Sequence, residues 1–69
     1  MKLMLDELVI KGDKIMKDIV IFNALGSQMH VQSVASGEIV IPVNHFSGGI
    51  YFAKVKLVDG SESIIRFIK

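Results

Sequence analysis

The strongest constraint on this chain is a period of two. In IYFAKVKLV, from Ile50 to Val58, residues Tyr51, Ala53, Val55 and Leu57 fall on one side, and Ile50, Phe52, Lys54, Lys56 and Val58 on the other. Such alternation gives an extended strand one dry face and one wetter face, and it has no helical counterpart. KDIVIFN, from Lys17 to Asn23, repeats the theme with β-branched and aromatic groups that pack well on a pleated surface. Ile19 and Ile21 share one of its faces and Val20 and Phe22 the other.

Turn residues cut the rest of the chain into similar pieces. Gly12-Asp13 closes a first strand read from Leu5 to Lys11. NALG follows Phe22, where the Asn23 side chain can accept from the backbone two residues on and Gly26 can take a positive φ. In SQMHVQS the expected dry residues are Met29 and Val31, and the wet ones His30 and Gln32. A polar turn around Ala35 to Gly37 leads into EIVIPV, where Pro42 has no N–H for a ladder bond and so belongs at an edge or a strand end. The loop NHFSGG then brings in Gly48 and Gly49, which accept backbone conformations closed to residues with a Cβ.

Asp59-Gly60 predicts a two-residue type I′ hairpin pairing Lys56 to Val58 with Ser61 to Ser63. In the last segment, SIIRFIK, Ile65 and Phe67 face the core, and Arg66 lies on the wetter side flanked by Ile64 and Ile68. Six short strands joined by Gly and Asn/Asp turns make an all-β meander or small sandwich. The 69 residues form one domain without an internal linker.

Chemistry is sparse. There is no cysteine, so no disulfide, thiolate metal site or thiol nucleophile is available. His30 and His45 stand apart from any carboxylate at metal-ligand spacing, and the serines lack a nucleophile-elbow context, so neither a metal nor a catalytic site is expected. The net charge of +1 is dispersed, which argues against nucleic acid, and nothing marks a cofactor loop. Aromatic residues Phe22, Tyr51, Phe52 and Phe67 read as packing groups. Ile50, Phe52, Ile64 and Ile68 form either an exposed apolar patch or the buried second layer of a sandwich. The opening MKLMLDELVIKGD meets Asp6 and Glu7 too early for a signal peptide.

Read in order, IVIFNALGSQMHV, IVIPVNHFSGGIYFAKVKLVDG and IIRFIK resemble the C-terminal sorting domain of proteins exported by the type IX secretion system of Bacteroidota. The shared elements are a strand ending in an aromatic, Phe22, and a short turn from Asn23 to Gly26. A Gly-x-Tyr element follows at Gly49-Ile50-Tyr51, and Arg66-Phe67-Ile68-Lys69 closes the pattern. The resemblance covers about Leu8 to Lys69.

It implies a small immunoglobulin-like antiparallel β-sandwich. The Tyr-Pro-Asn-Pro-like segment and leading strand common in such domains do not occur here, so a trimmed fragment lacking its first strand is one form of that expectation. An edge opened in this way would be covered by a second copy in a homodimer. The implied function is that of a non-catalytic secretion signal, recognised by the outer-membrane translocon and usually removed by a cell-surface sortase after export. An upstream cargo domain would be its passenger, and the destination would be the cell surface or the medium. Gly49, Tyr51, Arg66, Phe67 and Lys69 are then the candidate signal residues or the supports of its shape. The alternative is an adhesion or carbohydrate-binding β-sandwich of a secreted protein, which requires an exposed aromatic platform or a metal-supported loop near Tyr51 or His45.

Overall fold

The computed structural model describes residues 2–3 and 7–69, and among them every regular element is a strand. Lys2–Leu3 (β1), Glu7–Asn23 (β2), Gln28–Pro42 (β3), Ile50–Leu57 (β4) and Glu62–Ile68 (β5) join in a single antiparallel sheet. β1 pairs with the start of β2, β4 pairs with its end, and β5 extends the sheet beyond β4. β3 runs beside β2 along nearly the whole length of both. The all-β, antiparallel expectation therefore holds. Leu5, where the first strand was expected to begin, lies outside the described residues.

The expected breaks at Gly12-Asp13 and at Ala35 to Gly37 are not chain reversals. β2 continues for 17 residues and β3 for 15, so four of the expected short segments merge into one long hairpin. The hairpin bends where the breaks were expected: Lys11 pairs with Glu38 and Met16 with Ser36, so residues 12–15 stand opposite Gly37 alone. Extra residues on one strand of a pair bend and twist it. A Cβ on Gly37 would sit 2.9 Å from the carbonyl oxygen of Gly12, so the close approach of the two strands requires glycine there.

Just beyond the bend, at a second register shift between Met16 and Asp18, the inward parity changes. Leu8, Ile10 and Met16 are buried before that shift, and Ile19 and Ile21 after it. On β3, Ile39 and Ile41 are buried on one side of the bend, and Val34 packs against the core on the other. Both halves of the hairpin thus contribute to one apolar core, completed by Ala53, Val55 and Phe67.

This parity reverses the assignment made for SQMHVQS. Met29 and Val31 are 41% and 55% exposed, whereas His30 and Gln32 are half-buried and hydrogen-bonded to each other at 2.9 Å. Gln32 and His30 stand opposite Ile19 and Ile21, and cross-strand partners share a face, so the buried β2 residues dictate which side of β3 turns inward. Pro42, as expected, ends its strand on an edge.

The Asp59-Gly60 turn is also longer than expected. Gly60 has a positive φ of 92° and Asp59 does not, which excludes type I′. Gly60 N–H donates to the Leu57 carbonyl and Leu57 N–H to that of Ser61. This is a three-residue loop closed by a bulged glycine. The Asn23 turn has the same bonding, and the Asn23 carboxamide accepts from the Leu25 and Ser27 N–H groups.

Candidate functional site

Four of the five candidate residues meet at one end of the sheet. Gly49, at φ 152°, turns the chain out of the loop of residues 43–49 and into β4. A left-handed φ of this kind is costly for any residue with a Cβ. Tyr51, two residues on, therefore points into the core, where it is only 4% exposed. Its ring stacks on Phe67 at a centroid distance of 5.5 Å and lies against Phe46 at 5.0 Å. Its hydroxyl donates to the Ser47 carbonyl at 2.5 Å, fixing the loop that the ring lies beneath.

Lys69 closes the cluster from the other side. Its backbone exchanges two hydrogen bonds with Gly49, Lys69 N–H to Gly49 O at 2.9 Å and Gly49 N–H to Lys69 O at 3.2 Å. Its ammonium donates to the Phe46 carbonyl at 2.7 Å and to the Val43 carbonyl. A cation shared between two loop carbonyls satisfies acceptors that no strand ladder reaches. The end of β5, the loop and the start of β4 are held together through Lys69.

Phe46 and Val43 are part of this cluster, and sequence reasoning did not assign either to it. Both are buried, Phe46 at 4% and Val43 at 0% exposed. The available signal was a phenylalanine inside the polar loop NHFSGG. An aromatic there needs a hydrophobic site, and Tyr51 provides one.

Arg66 does not join them. It faces the opposite side of the sheet, exposed, with Phe52 as its cross-strand partner on β4. Ile50, Ile64 and Ile68 on the same face are 39%, 69% and 58% exposed. These values decide between the two readings of the apolar set: it forms a surface patch and not an inner layer. Phe52 and Phe22, cross-strand partners, are half-buried beneath a shallow groove that also includes Ile64.

The burial of Tyr51 removes the exposed aromatic platform that an adhesion or carbohydrate module would place there. His45 is exposed and packs edge-on against Phe46 at 4.8 Å. Among the described residues no three His, Asp or Glu side chains converge as a metal site. Among the described residues, the one clearly displaced titration is on the surface. Ser61 donates to the Asp59 carboxylate through both hydroxyl and backbone, and with Lys14 at 3.5 Å this holds the Asp59 carboxyl below its ordinary value.

Comparison with known proteins bears on the same segments. No curated protein and no solved structure matches the chain. The family model described as "Secretion system C-terminal sorting domain" matches residues 4–69, which include β2 to β5 and all five candidate residues. The chain therefore belongs to the family of secretion system C-terminal sorting domains, which act as sorting signals and not as enzymes.

Proposed function

We propose that this domain is the address by which the type IX outer-membrane translocon selects an attached cargo, and that a cell-surface sortase removes it after export. The observation that carries the reading is the family match over residues 4–69. On this reading the passenger lies upstream, the destination is the cell surface or the medium, and an immunoglobulin-like sandwich is the form presented to the translocon. Gly49, Tyr51, Phe67 and Lys69 act from inside by fixing the loop against the end of β5. Arg66, exposed on the apolar face, is the member of the set open to direct contact with the machinery.

The test is to fuse the chain to a carrier in a cell that has the type IX system, and to measure carrier at the surface. Fusions lacking Lys69, or residues 67–69, should lose surface display in that order. Equal export of all three forms would overturn the reading.

A further inference from the structure

β5 is an edge strand with an unusual sequence for one. Among the described residues it pairs only with β4, over Glu62–Ile68. Gly49 and Lys69 exchange both of their backbone bonds, and Leu57 N–H bonds to Ser61 O. Bonded pairs alternate along an antiparallel ladder, so the odd-numbered residues of β5 bond inward to β4. Glu62, Ile64, Arg66 and Ile68 accordingly direct their N–H and C=O groups away from the sheet. An edge of this length normally carries a feature that blocks pairing, such as proline, a bulge or repeated like charge. Here there is no proline, the β4–β5 register is unbroken, and the two charges in the strand are of opposite sign.

Those charges are placed symmetrically about one residue. Glu62 lies two before Ile64, and Arg66 two after it. If two copies of β5 align antiparallel with Ile64 opposite Ile64, each Glu62 stands opposite the Arg66 of the other copy. All three cross-strand pairs then use outward-facing backbone groups. The neighbouring registers leave both charges without an opposite charge: one sets Glu62 against Ile68 and Arg66 against Ile64, and the other sets Glu62 against Ile64 and Arg66 against Gly60. Opposite charges directly across a ladder stabilise it, and like charges destabilise it. Charge complementarity thus singles out a second copy of this chain as occupant and fixes the register. Arg66 has no ion-pair partner among the described residues, and Glu62 is paired only with Lys54, at 3.0 Å on its own sheet.

We propose that β5 pairs antiparallel with β5 of a second copy about a two-fold axis through Ile64, joining the two sheets through reciprocal Glu62–Arg66 pairs. The interface is isologous, as a closed dimer requires. It also places the exposed Ile64 side chains against each other. It lies on β5, not at the start of β2, where β1 already covers Leu8 and Val9.

The experiment is a charge swap read by sedimentation equilibrium up to millimolar protein, with circular dichroism to confirm folding. Wild type should show a concentration-dependent monomer–dimer equilibrium. Glu62→Arg alone and Arg66→Glu alone should each weaken self-association at least tenfold. An equimolar mixture of these two variants should associate, because every cross-strand charge pair is then opposite in sign, and the double variant E62R/R66E should regain wild-type association. Wild type that remains monomeric throughout, or single variants that neither weaken association nor recover it on mixing, would overturn the proposal. These outcomes do not depend on export.

Discussion

Lys69 and Gly49, twenty residues apart in sequence, form a reciprocal backbone pair, and the Lys69 ammonium reaches over the intervening loop to the carbonyls of Val43 and Phe46. The ladder of β4 and β5 thus continues one pair beyond the strands themselves. The loop carrying Phe46 is consequently tied to the strand ending in Lys69 as well as to the strand that it feeds.

Lys69→Met keeps the length and the apolar stem of the side chain and removes the two charge-assisted bonds. The variant should lose about 1–3 kcal/mol of stability, since the Phe46 carbonyl loses its donor and the Val43 carbonyl is left with the Phe46 N–H alone. For a domain of this size the thermal midpoint should fall by roughly 5–15 °C. An unchanged midpoint would show that water replaces the ammonium without cost.

The paired glycines at 48 and 49 are not equivalent. Nothing lies within 4 Å of a Cβ built on Gly49, so Gly49→Ala is penalised by its backbone conformation alone, by about 1–3 kcal/mol. Gly48 has no positive φ, and its Cβ would make an ordinary contact, 3.6 Å, with the Lys69 carbonyl oxygen. Gly48→Ala should therefore be close to neutral in a denaturant titration. Equal losses at both positions would contradict this division.

Tyr51→Phe tests the hydroxyl separately from the ring. It removes the bond to the Ser47 carbonyl and leaves both aromatic contacts in place, so the loss should be about 0.5–1.5 kcal/mol. Phe67→Ala removes a buried ring from the same stack and should cost about 3–5 kcal/mol. Chemical denaturation of both variants should reproduce that order.

Asp59 predicts a pH dependence of definite sign. Ser61 and then Lys14 hold its folded-state carboxyl below the ordinary value, so its contribution is fully present above the unfolded pKa. The contribution disappears as pH falls through the lower folded pKa. The difference in thermal midpoint between wild type and Asp59→Ala should be largest at neutral pH and close in acid. A difference that widened on acidification would have the wrong sign.

Much of this arrangement was legible in the sequence. The alternation from Ile50 to Val58 placed Tyr51, Ala53 and Val55 inside, and that of SIIRFIK placed Arg66 outside between Ile64 and Ile68, as found. Local signals failed where tertiary context determines the outcome. Gly12-Asp13 and Gly37 carry the composition of turns, yet they lie opposite each other in a hairpin and bend it without ending it. Met29 and Val31 are apolar but lie outside, because the register with Ile19 and Ile21 turns His30 and Gln32 inward. The ammonium bridge of Lys69 joins residues more than twenty positions apart, and no periodicity signals a contact of that kind.

The most direct test of the account is surface display of a carrier fused to this chain, compared across wild type, Lys69→Met, Gly49→Ala and the form lacking residues 67–69. If the domain is an address whose shape the Lys69 cluster maintains, display should fall in step with the folded fraction of each variant and should be lost in the truncated form. Full display of the carrier by a truncated, unfolded domain would contradict it.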